Sequence, residues 1–142
     1  MLKFQDKQIN VTTKPVMLVG QNPGKARTGP DTGIVWESNR SADLLNEIVE
    51  GISNLYLTNL VNYQIINPAV IEEGLEDLTQ TIKTYSPSKI ICLGGLSYRY
   101  VTKLVNDLGL DIPVFGLRHP SFIVRFNKDR DAYANELLEL IS

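Results

Sequence analysis

The feature that most constrains this chain is a regular alternation of short apolar runs with helix-patterned stretches. Val16–Val19, Asn54–Asn59, Lys89–Leu93 and Pro113–Gly116 each have the length and apolar content of a buried strand. Around them, apolar residues recur at helical spacing. Leu44, Leu45, Ile48 and Val49 mark a helix over Ala42–Gly51, and Leu75, Leu78, Ile82 and Tyr85 mark another, stopped by Ser86-Pro87. Tyr98, Val101, Leu104 and Val105 mark a third that ends at Gly109, and Tyr133, Leu137, Leu138 and Ile141 lie on a closing helix. Strands separated by helices pair in parallel through right-handed crossovers, with helices on both faces. The pattern therefore predicts an α/β domain, a three-layer α/β/α sandwich around a central, mainly parallel four-stranded sheet. Residues 1–14 carry no assignable element, and Pro68 and Gly74 read as punctuation in the loop after the second strand. With no repeat, low-complexity tract or linker, residues 1–142 read as a single domain.

Composition narrows the chemistry. A chain of 142 residues with 43% apolar and 21% charged residues has enough core for one soluble domain. No run is long enough to span a bilayer and no signal peptide is evident, so no membrane partner and a cytoplasmic location are expected. The single cysteine, Cys92, excludes an internal disulfide and a cysteine-ligated zinc or cluster, so no metal is expected. A net charge of −2 argues against a binder held to nucleic acid by charge alone.

The strand ends carry the informative residues, because ligands of open parallel sheets bind at the carboxyl edge. After the first strand comes Gly20-Gln21-Asn22-Pro23-Gly24, where glycines let a ligand approach the backbone and proline stiffens the turn. Asn22 can hold a water while donating elsewhere. Thr58-Asn59 places a second carboxamide at the next strand end, with donor and acceptor side by side as a nucleobase edge requires. Gly94-Gly95-Leu96-Ser97 opens a helix whose N–H groups can receive an anion. The only histidine, His119, follows the fourth strand between Arg118 and Pro120, and the only tryptophan, Trp36, lies between the first two strands.

In their order along the chain these motifs resemble the uracil-DNA glycosylase superfamily. Val19–Gly24 looks like its first motif, Thr58–Tyr63 its second-strand motif, Ser86–Gly94 its third strand, and Arg118–Arg125 its His-Pro-Ser loop. The resemblance implies a cofactor-free enzyme that flips uracil, or a related deaminated base, out of uracil-containing or mismatched DNA and hydrolyses its N-glycosidic bond. Asn22 then holds the attacking water and His119 stabilises the leaving base. Gly20, Gln21, Pro23, Gly24, Trp36, Asn59 and Ser121 belong to the substrate site, with Trp36 stacking on the base and Asn59 reading its edge. Phe122 and Ile123 act as apolar wedges, and Arg118, Arg125 and Ser121 meet phosphate. Departures accompany the likeness. The layout is closest to the iron–sulfur branch, yet Tyr63 stands where a cluster cysteine is expected. An asparagine also cannot take a proton as a carboxylate does. The expected hydrolysis is therefore slow or confined to particular mismatches, and the alternative is a non-catalytic nucleobase- or DNA-binding module on the same fold.

Overall fold

A computed structural model describes residues 5–22, 40–63, 67–126 and 128–142. Its elements in chain order are β1 (Lys7–Ile9), β2 (Val16–Gly20), α1 (Arg40–Ile48), β3 (Leu55–Asn59), α2 (Pro68–Tyr85), β4 (Lys89–Leu93), α3 (Gly95–Asp107), β5 (Val114–Leu117), α4 (Pro120–Arg125) and α5 (Arg130–Ile141). The strands form one sheet in the order β1-β3-β2-β4-β5, parallel throughout except for β1, which runs antiparallel to β3.

Side chains alternate across the sheet and build a core on each face. Leu18, Leu55, Leu57, Ile91, Leu93 and Leu117 pack with Leu44, Leu45 and Val49 of α1, Ile123 of α4, and Tyr133 and Leu137 of α5. Met17, Val19, Tyr56, Ile90 and Cys92 face the other way, against Val70, Leu78 and Ile82 of α2 and Val101 and Val105 of α3. The expected three-layer arrangement is thus present. Burial pushes the Cys92 thiol up to about 12, so it stays protonated and serves as packing. Among the described residues no helix is long and apolar enough to cross a membrane.

The structure corrects the expectation at several points. The sheet has five strands among the described residues rather than four, because Lys7–Ile9 adds an edge. Pro68 and Gly74 do not punctuate a loop. Asn67 caps α2 by accepting from the Val70 N–H at 3.1 Å, and Pro68 occupies the first turn, where its missing N–H costs nothing. Gly74 lies buried within that helix, where a Cβ would sit 2.4 Å from the Leu60 carbonyl oxygen. Bare backbone at this position lets α2 lie directly on Leu60 and Val61. The first helix ends at Ile48 rather than Gly51, and a short helix, α4, follows the last strand.

Candidate functional site

The order of the strands creates the site. From β2 the chain moves to β3 on one side, then crosses to β4 on the other, so the carboxyl ends of β2 and β4 flank a point where the winding reverses. Crevices at such points are the ligand sites of open α/β sheets. Gly20, Asn59, Leu93 and Leu117 end the four parallel strands there.

Backbone pairing continues past the strands on one side of this edge. The Leu60 N–H donates to the Gly20 carbonyl at 2.7 Å and the Val61 N–H to the Gln21 carbonyl at 3.1 Å. Gly20 is itself paired with Asn59 in the β2–β3 register, so half-buried Gln21 and Asn22 leave the sheet beside the segment that follows Asn59. On the other side the fully buried Ser97 hydroxyl donates to the Val19 carbonyl at 2.9 Å, tying the first turn of α3 to the end of β2. The Gly94 N–H donates to the Leu117 carbonyl at 2.7 Å, so that N–H and the Ser97 hydroxyl are already engaged within the protein. Gly94 has φ +99°, and a Cβ there would stand 3.4 Å from the Cβ of His119. Glycine at this point admits both the turn and the histidine beside it.

His119 caps α4. Its Nδ1 accepts from the Ser121 N–H at 3.1 Å and lies 2.7 Å from the Ser121 hydroxyl. A backbone N–H can only donate, so Nδ1 carries no hydrogen and the neutral ring is the Nε2–H tautomer. Burial lowers the pKa of His119 below its ordinary value of 6.5 and favours that neutral form. The result is an imidazole with one N–H donor and a fixed ring. Behind it, the Tyr133 hydroxyl donates to the Arg118 carbonyl at 2.6 Å, and burial raises the pKa of that phenol so that it remains a donor.

Next to this loop the surface is aromatic and cationic. The Arg118 guanidinium lies 4.5 Å from the centre of the Phe122 ring, and Phe122 and Phe126 stand 5.0 Å apart. Arg118 and Arg125 are exposed, and Phe126 is 56% exposed. Ile123 requires a correction. At 5% exposure it packs into the core between α1, α4 and α5, so its side chain is committed inward and cannot serve as a wedge. Phe126, which the sequence pattern did not single out, is the exposed apolar side chain of this segment.

Asn59 is 5% exposed at the end of β3, and its Nδ2 points to Asn62 Oδ1 across a long 3.5 Å. Asn62 in turn donates to Asp6 Oδ1 at 3.1 Å. Asp6 also accepts from the Thr58 hydroxyl at 2.6 Å and from the Tyr56 hydroxyl at 2.7 Å. Burial, reinforced by the hydrogen bond to Asp6, raises the Tyr56 pKa well above the ordinary range, so the phenol keeps its proton. These residues and α2 line a cavity of about 560 Å³ that Asn59 enters and Asn22 and His119 do not. Asn59 and His119 thus share the carboxyl edge of the sheet without sharing this cavity. Asp6 was illegible because nothing in residues 1–14 signals a strand, and Asn62 lies in the same motif as Asn59 without an outward sign of its role. Tyr63, at the expected cysteine position, donates to Glu73 of α2 at 3.1 Å. Pro23, Gly24 and Trp36 lie outside the described residues.

With this geometry in view, the family model described as the uracil DNA glycosylase superfamily matches residues 7–141 of the chain. No curated protein matches it.

Proposed function

The chain belongs to the uracil DNA glycosylase superfamily, and from that premise we propose that it hydrolyses the N-glycosidic bond of uracil, or of a related deaminated base, flipped out of DNA. The observation that carries the reading is His119, a neutral ring whose Nδ1 is occupied and whose Nε2–H is its only donor. In the proposed reaction the C1′–N1 bond breaks and negative charge gathers on the base, toward O2. The Nε2–H of His119 stabilises that charge without giving up its proton, the kind of preorganised donor that contributes most when water is excluded. Asn22 holds the water whose oxygen bonds to C1′. Its amide takes no proton, so the proton of that water passes to solvent or to the departing base. Asn59 reads the base edge, and Gly20, Gln21, Pro23 and Gly24 admit the substrate at the end of β2, with Trp36 stacking on the base.

Outside the pocket, Phe122 and Phe126 fill the space the base vacates, and Arg118, Arg125 and Ser121 meet the phosphates. Flipping is easiest from a mismatch or from single-stranded DNA, where little pairing is lost. The reaction needs no cofactor.

The test is an assay of the purified protein on single-stranded, paired and mismatched uracil DNA. Abasic product that disappears in Asn22→Ala and His119→Ala supports the enzyme. Binding without product in every context favours the non-catalytic module, a reading that the proton-inert Asn22 and the net charge of −2 also favour.

A further inference from the structure

We propose that Asp6 is a positioning residue: acting through Asn62, it fixes which way round the Asn59 carboxamide lies, and so makes the site prefer uracil to cytosine. The inference rests on the reading of Asn59 as the group that meets the base edge. It begins with β1. Antiparallel pairing sets Lys7 opposite Leu57, which brings the preceding residue, Asp6, beside Thr58 at the carboxyl end of β3. Three donors converge there, the hydroxyls of Tyr56 and Thr58 and the Nδ2 of Asn62.

A carboxylate only accepts. Asn62 must therefore turn its Nδ2 toward Asp6, which leaves its Oδ1 on the other side, toward Asn59. An oxygen can be met only by a donor, so Asn59 turns its own Nδ2 toward Asn62. What remains for a ligand is the Oδ1 of Asn59 and its second amide hydrogen, an acceptor beside a donor. Uracil offers the complement, an N3–H donor beside the O4 acceptor. Cytosine offers the reverse, an N3 acceptor beside an N4 amino donor, and would need the amide turned over. A site built to make such bonds rejects the wrong pattern because its own polar groups are left unpaired. Tyr56 and Thr58 hold Asp6 in place, and Gly74 keeps α2 close against Leu60, the residue between Asn59 and Val61.

Two readouts test this. The first is binding of single-stranded oligonucleotides that carry one uracil or one cytosine at the same place. Asp6→Asn supplies an N–H where only acceptors stood, and Asn62→Ala removes the relay. Each is expected to reduce the uracil-over-cytosine preference by about tenfold, the effect of one misdirected hydrogen bond, with the double variant no worse than either. Tyr63→Phe removes a donor to Glu73, next to Asn62 but outside the relay, and is expected to leave the preference intact. The second readout is the Asn59 side-chain amide resonance in the free protein, which is expected to move in Asp6→Asn and Asn62→Ala but not in Tyr63→Phe. A folded Asn62→Ala with unchanged preference overturns the proposal, as does a folded Asp6→Asn with an unmoved Asn59 amide. If the wild-type protein shows no preference for uracil, the reading of Asn59 fails instead. The amide resonance then decides alone whether Asp6 orients it.

Discussion

Protonation of His119 would place a hydrogen on Nδ1, against the backbone N–H of Ser121 that points at it. Burial makes the folded protein bind this proton less readily than the unfolded chain, and so lowers the pKa. The stability this group confers is fully present above about pH 6.5, the unfolded value, and is lost as pH falls through the lower folded value. Activity is expected to fall over the same window, because the protonated ring loses its orientation as well as its neutrality. Paired pH profiles of product formation and unfolding free energy, for the protein and for His119→Asn, check this; the acid limb assigned to His119 disappears in the variant. At neutral pH His119→Asn is expected to keep the helix cap, worth about 1 kcal/mol, while lowering single-turnover rate by roughly a hundred- to a thousandfold. Normal rate in His119→Asn would remove the imidazole from the mechanism. The histidine was legible in the sequence because it is alone and follows a strand. Its tautomer was not, since that depends on where the Ser121 N–H points once α4 forms.

At the scale of elements, α2 and α4 carry the lessons. Pro68 and Gly74 signal a break when read singly, yet a capping Asn67 turns the proline into a helix start and the packing of Leu60 turns the glycine into a contact. Gly74→Ala is expected to destabilise the fold by about 1–3 kcal/mol through overpacking, measured by urea unfolding, and to shift the backbone amides of Leu60 and Val61. Six residues are too few to show a helical period, so α4 was invisible, and with it the inward turn of Ile123. Ile123→Ala is expected to cost about 2–5 kcal/mol as a core truncation. Phe126→Ala, by contrast, should leave the melting temperature near that of the parent and weaken DNA binding. The reverse ranking would return Phe126 to the core and Ile123 to the surface. β1 escaped notice for a related reason: three residues with one apolar side chain, at an edge that is half open to solvent, show no alternation to read.

For the molecule as a whole, the apolar runs were enough to predict the layers and the parallel core, because strands buried on both faces read as continuous hydrophobic stretches. The meeting of Asp6 with Asn62 was beyond such reading, since it depends on the β1–β3 register and spans more than fifty residues. Charge belongs to this scale too. With a net charge of −2 and two exposed arginines flanking His119, DNA binding is expected to depend only mildly on salt. The slope of log affinity against log salt should be about −2, near one unit for each phosphate neutralised; a slope several times steeper would reveal a basic surface elsewhere. One bond also reaches back along the chain. The Arg118 carbonyl is held by the hydroxyl of Tyr133, so a nascent chain leaving the ribosome has made every described strand before it makes the residue that anchors the histidine turn. The loop that carries the imidazole is thus secured from the far side of α4, by a residue synthesised after it.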